Sequence, residues 1–213
     1  MTTPRALALV VLNALVSFVA LGVFADATGE DPFVLTPRML AAFLVSFAVS
    51  AVGLVWFASV RQPRRTWREL GWRFDGLPLA LAKGVGGGVV ALGFIVALRA
   101  VFGATLQETF DAMLGGPAAQ HAMPVLIGLD AAFVEESLFR GNLQPLLERR
   151  LGRAAGLVLT ALIFSAYHLN PRPLALLGKF VLGLWFGLLR GRDGTLVVPA
   201  VAHFMVWAFA GAA

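Results

Sequence analysis

The stretch LPLALAKGVGGGVVALGFIVAL, Leu77 to Leu98, carries one charged side chain, Lys83. At 1.5 Å per residue, a helix of this length covers the ~30 Å hydrocarbon core of a bilayer. Similar runs recur at Ala6–Ala25, Met39–Val60, Ala154–Tyr167, Leu174–Leu189 and Leu196–Ala212. Hydrophobic residues make up 59% of the 213 and charged ones 14%, against roughly 45–50% and 25% in soluble domains. A soluble fold would need six buried helices with almost no polar shell. The composition therefore predicts an all-α, polytopic helical membrane protein. With the more amphipathic Met123–Glu148, hydropathy gives about seven transmembrane helices.

The charges sort by loop. The net charge is +5, but the basic residues gather at alternate span ends: Arg5, the cluster Arg61/Arg64/Arg65/Arg68/Arg73, Arg149/Arg150/Arg153 and Arg190/Arg192. Fewer basic residues lie at the opposite ends, where Asp26, Glu30 and Asp31 are found. The positive-inside rule then predicts a cytoplasmic N-terminus, and the positive charge explains topology rather than nucleic-acid binding. Arginine greatly outnumbers lysine, a bias that suggests a GC-rich bacterial source and an integral plasma-membrane location. Ala25-Asp26-Ala27 is similar to a leader cleavage site, but the preceding apolar run exceeds the usual 7–15 residues, so a retained first span is expected. With no cysteine, thiolate chemistry and disulfides are excluded.

Other local patterns set expectations for packing. KGVGGG (83–88) lacks the GK[ST] ending of a phosphate loop, and predicts close helix approach instead. The loop RQPRRTWRELGWRFDG (61–76) places Trp67 and Trp72 among arginines, as suits a lipid interface. Phe102–His121 reads as an interfacial or re-entrant segment. At HLNPRP, Pro171 and Pro173 force a break between helices. The expected organisation is a set of N-terminal membrane helices with an interfacial segment over 1–121, then core helices over 122–213.

Against this background FVEESLFRG, Phe133 to Gly141, is costly, since an ionisable group in a span costs about 2.5–3.5 kcal/mol on insertion scales. Asp130, Glu135, Glu136 and Arg140 fall within a few turns. Glu136 and Arg140 are four apart, one turn on the same face, where they pair. Glu135 is rotated by about 100° from Glu136 and has no local partner. It is the available carboxylate. Two histidines lie in or at the ends of spans: His168 in FSAYH and His203 in PAVAHFMVW. Counted from the basic edges at 1.5 Å per residue, Glu135, His168 and His203 fall at similar depths, about 21, 22 and 16 Å. His121, outside the spans, reads as an ordinary interfacial residue.

A carboxylate with a histidine suits general-base activation of water, and a second histidine suits a developing oxyanion. The same three side chains are an acceptable zinc set, although the helical HExxH arrangement is absent. Hydrolysis without metal and hydrolysis with a divalent metal such as zinc therefore both stay open. No serine lies in a glycine-flanked nucleophile loop. A second intramembrane aspartate, needed for an aspartic dyad, is missing because Asp193 lies in a loop. A non-catalytic membrane scaffold or immunity factor, and a small transporter with Glu135 as its proton-coupling carboxylate, are the alternatives to an enzyme.

Three motifs in order resemble the CPBP intramembrane proteases, which include type II CAAX prenyl endopeptidases and bacteriocin-processing or self-immunity proteins. They are EExxxR at Glu135–Arg140, continuing into FRGNLQ; FxxxH at Phe164–His168; and an HxxxN-like motif beginning at His203. They lie in the last ninety or so residues. The resemblance implies an intramembrane endopeptidase acting on a peptide or membrane-protein substrate amid membrane lipid. It implies that Glu135 activates water with His168, that His203 supports the oxyanion, and that Glu136 with Arg140 holds the site in place. The family's third motif usually ends in Asn, whereas this chain has Trp207. Asn142 and Asn170 are the other nearby amides. The expected site is a water-accessible polar cavity lined by Glu135, His168 and His203.

Overall fold

The computed structural model describes residues 1–114, 118–191 and 194–210. Arg192 and Asp193 of the topology reading, with parts of the interfacial segment and of the last span, lie outside them. The described residues are helical, with no strand among them. Three long apolar helices come first: α1 (Thr3–Thr28), α2 (Pro37–Arg61) and α4 (Leu77–Val101) are each long and apolar enough to cross a membrane. Between the last two lies the short α3 (Trp67–Leu70). Then follow α5 (Leu106–Leu114), a continuous helix α6 over 118–151, α7 (Arg153–Tyr167), α8 (Pro173–Leu189) and α9 (Val197–Ala210). The chain is a helical membrane protein. Over the described residues its last three helices are apolar but shorter, at 15, 17 and 14 residues, than the first three long ones.

Local sequence explains where the helices start and stop. Pro at the first turn opens α1, α2, α4 and α8, where its missing N–H costs nothing. Thr36 caps α2 by accepting from the Met39 N–H at 3.1 Å. Thr66 and Glu69 form a reciprocal capping box on α3, and Thr105 with Glu108 does the same for α5, so the segment expected to be interfacial contains an ordered helix. Large apolar side chains such as Val11, Leu15, Val45, Val52, Val89 and Val90 remain exposed on α1, α2 and α4, as a lipid-facing surface requires.

The glycine run is a packing device. A Cβ at Gly84 would lie 2.6 Å from Val201 Cβ, at Gly87 2.7 Å from Leu189 Cδ1 and at Gly88 2.6 Å from Met205 Sδ. The absence of side chains is what lets α4 lie against α8 and α9. Of the two tryptophans of the 61–76 loop, Trp67 stays exposed while Trp72 is partly buried. Trp72 Nε1 donates to Ser137 Oγ at 2.9 Å, and both Trp67 and Trp72 pack on Phe133. Ser137 on α6 offers the indole a hydrogen-bond partner that lipid lacks.

Stretches of α1, α2 and α6 are wound as π-helix, including Ala131–Glu135 and Ser137–Leu143. This wider winding closes i→i+5 bonds and is most often found at functional sites. It takes more residues per turn than an α-helix, so Glu135 and Glu136 are separated by somewhat less than the 100° expected from α geometry. They still diverge.

Candidate active site

The buried ion pair read from the sequence is present. Arg140 Nη1 donates to Glu136 Oε1 at 3.0 Å with both side chains fully buried. Arg140 does more than pair. Its Nη2 donates to the Gly183 carbonyl on α8 at 3.1 Å, and its guanidinium lies 4.4 Å from the Phe164 ring centroid on α7. One side chain therefore ties α6, α7 and α8 together through a charge-assisted hydrogen bond, a backbone hydrogen bond and a cation–π contact.

Glu136 also takes a second donor. His203 Nδ1 lies 2.8 Å from Glu136 Oε1. The imidazole is 2% exposed and stacks on Phe186, centroids 4.5 Å apart and planes 27° from parallel. Sequence spacing treats Glu136 as a clamp for Arg140 alone; the structure makes it the orienting carboxylate of His203 as well. Because a carboxylate accepts, Nδ1 carries the proton, and Nε2 is turned towards Glu135 at 3.9 Å from Oε2. Depth counting allows α6 and α9 to bring these groups into one layer; the approach itself is a feature of the structure.

Glu135 is 3% exposed, and its Oε2 has no hydrogen-bond partner. Both acids keep one buried oxygen without a partner, Glu135 Oε2 and Glu136 Oε2, but Glu136 Oε1 accepts from Arg140 and His203. His168, at the C-terminal end of α7, has Nδ1 2.8 Å from the Phe164 carbonyl. A carbonyl only accepts, so Nδ1–H donates there, and the buried Nε2 has no partner. Phe164 packs edge-on against both imidazoles, with centroids 4.8 Å from His168 and 5.7 Å from His203. Tyr167 extends the cluster, since Asn13 on α1 donates to its hydroxyl at 2.5 Å. The first span is thereby bonded to the helix that carries His168.

The cavity differs from the one expected. A cavity of about 190 Å³ reaches Glu135, but its lining includes Asp130 and Trp207 rather than His168 or His203. Most of its wall is apolar, including Phe18, Met39, Phe43 and Met123. This cavity meets Glu135 alone of the three candidates, and the two imidazoles pack among aromatic rings beside it. The reason is aromatic: Phe164, Phe186 and Tyr167 enclose the two rings.

Several polar neighbours carry no assigned role in the sequence reading. Asp130 is buried and shares the cavity with Glu135; its signal was the cost of a carboxylate inside a span. Lys179 Nζ lies 5.0 Å from the Trp207 ring centroid, and the Trp207 Nε1 is buried without a partner. The two other amides are elsewhere. Asn142 accepts from Arg65 at 2.8 Å and donates to Ser59 at 2.9 Å, while Asn170 accepts from the Arg172 N–H in the α7–α8 turn. No group of three or more His, Asp or Glu side chains among the described residues is arranged to hold a metal ion. The set Glu135, His168 and His203 does not fit a metal centre in this arrangement.

Comparison with known proteins adds two findings. Residues 117–209 match a family model described as type II CAAX prenyl endopeptidase Rce1-like. The chain is 30% identical over 172 residues to the uncharacterized protein YpbD of Bacillus subtilis (strain 168), covering 78% of this chain and 82% of that protein. No solved structure matches.

Proposed function

The chain belongs to the Rce1-like, type II CAAX prenyl endopeptidase family, and on that premise we propose that it hydrolyses a peptide bond in or beside the membrane, using Glu135 to activate water. The observation that carries this reading is the unequal bonding of two adjacent acids. Glu136 is anchored through Oε1 by Arg140 and His203, its Oε2 being without a partner, whereas Glu135 Oε2 is buried, unbonded and 3.9 Å from His203 Nε2.

In the proposed reaction a water donates one hydrogen to Glu135 and attacks the scissile carbonyl carbon. Its proton passes to the Glu135 carboxylate as the C–O bond forms, giving a tetrahedral oxyanion. Glu135 then gives that proton to the departing amine as the C–N bond breaks, and the carboxylate is restored. His168, with Nδ1–H committed to Phe164, offers Nε2 as an acceptor that helps hold the water. His203 has its one neutral-state N–H directed at Glu136. It supports the oxyanion only when Nε2 is protonated too, and Glu136 supplies the counter-charge for that imidazolium. Glu136 and Arg140 are positioning residues.

The purified protein in detergent, given a membrane-peptide substrate, is expected to cleave it. Both His168→Ala and His203→Ala are expected to lower turnover by about 10²-fold or more, the lower range for general acid–base groups. Wild-type turnover in both variants would remove the imidazoles from the mechanism.

A further inference from the structure

Asp130, an acid that the proposed reaction leaves unused, is 7% exposed. It lines the same cavity of about 190 Å³ as Glu135, and its carboxylate makes no hydrogen bond or ion pair among the described residues. In an α-helix, residues spaced as Asp130 and Glu135 are would be rotated apart by about 140°. The π winding of Ala131–Glu135 closes i→i+5 bonds instead, which sets the two acids one turn apart on nearly the same side of α6. Resting on the hydrolytic reading of Glu135, we propose that this cavity is a specificity pocket for a cationic side chain, lysine or arginine, beside the scissile bond of the substrate, and that Asp130 is the carboxylate that receives it.

A carboxyl group in an apolar wall is costly unless it is paired. Among the described residues no lysine, arginine or histidine lines this cavity. Lys179 and Arg140 act electrostatically on Glu135, but neither acts on Asp130. Arg140 is committed to Glu136 and to the Gly183 carbonyl, and Lys179 Nζ lies over the Trp207 ring, 5.0 Å from its centroid. Glu135 adds a second carboxylate to the cavity rather than a counter-charge. The missing complement of Asp130 is therefore a cation.

The rest of the wall selects the kind of cation. The volume is below the ~300–1,000 Å³ of pockets that hold a whole small molecule, so the room is that of a single side chain. Phe18, Phe33, Phe43 and Trp207 stand in the wall. Such rings cover a methylene stem and attract an ammonium or guanidinium head. A metal ion is a poorer match, because the acids here are not arranged as a metal-binding group. A neutral apolar side chain would fill the wall but leave Asp130 unpaired. Since Glu135 lines the same cavity, a side chain seated there brings its own backbone beside the group that activates water.

The test uses the full chain in detergent and a set of membrane peptides carrying Lys, Arg, Met or Glu in turn at each position, with cleavage sites and rates read by mass spectrometry. Cleavage is expected beside Lys or Arg, with kcat/KM about 10–100-fold above that for Met at the same position, the range of a hydrogen bond to a charged group. Asp130→Asn is expected to bring that ratio close to one and to melt no lower than wild type, since no bond is lost. Asp26→Asn, at an exposed position, keeps the ratio. Binding is read separately: n-butylammonium is expected to raise the melting temperature saturably, n-butanol is not, and Asp130→Asn removes the response. Cleavage that ignores Lys and Arg, or a preference that survives in Asp130→Asn, would overturn the pocket and leave the hydrolase standing. Equal responses to butylammonium and butanol would overturn the cation site. Asp130-dependent butylammonium binding with no peptide cleaved would keep that site and overturn the hydrolysis.

Discussion

Arg140 gives the sharpest stability prediction. Replacing it with Met keeps much of the apolar stem but removes the donors to Glu136 Oε1 and to the Gly183 carbonyl, at 3.0 and 3.1 Å. Breaking a buried ion pair from one side costs about 3–5 kcal/mol, because the remaining charge stays buried. Glu136 retains His203 at 2.8 Å, so the lower half of that range is expected. For a chain of this size each kcal/mol shifts Tm by about 2–4 °C, giving a loss of roughly 6–16 °C for about 3–4 kcal/mol. Arg140→Lys should recover only part of it, since one ammonium does not reproduce a planar fork that spans two acceptors. The assay is thermal unfolding in detergent, extended to a double-mutant cycle with Glu136→Gln. The double variant should lose clearly less than the sum of the singles. Strict additivity, or a loss under about 1 kcal/mol for Arg140→Met, would refute the buried clamp.

Three further predictions concern packing and capping. Gly84→Ala should cost about 1–3 kcal/mol through overpacking against Val201, whereas Gly86→Ala, with open space at its Cβ, should gain up to about 1 kcal/mol of helix propensity; thermal unfolding of both variants decides it. Tyr167→Phe should cost about 1–3 kcal/mol by leaving the buried Asn13 amide unbonded, read by denaturant unfolding. Glu69 is held below its ordinary 4.5, first by the Thr66 N–H and then by the Thr66 hydroxyl. Its cap therefore contributes fully above that ordinary value and is lost as pH falls through the lowered one. Amide exchange in α3 should accelerate relative to its intrinsic rate over that acidic window, and Glu69→Gln should abolish the pH dependence.

What was legible in the sequence followed from spacing along one chain. The Glu136–Arg140 pair is an i,i+4 relation, the break at Pro171 and Pro173 is a steric rule, and the KGVGGG contact follows from missing side chains. Depth counting put Glu135, His168 and His203 near one layer, because rise per residue is nearly constant, but it did not show that any of them meet. Bonds that depend on rotation and register between helices were not legible. His203 Nδ1 bonds Glu136 rather than Glu135, Asn13 reaches Tyr167 across the fold, and Asn142 turns to Arg65 and Ser59. The π winding of α6 shifts side-chain directions by an amount that apolar periodicity does not reveal. Aromatic enclosure of the imidazoles, which takes them off the cavity wall, arises from three separate helices packing at once.

The division of labour between the adjacent acids is tested most directly by measuring turnover and melting temperature together in Glu135→Gln. Turnover should fall about 10²–10⁴-fold, the range for a general base, while the melting temperature stays at or above that of wild type because no bond to Oε2 is lost. Undiminished cleavage, or a collapse of the fold with the amide in place, would contradict the assignment of water activation to Glu135.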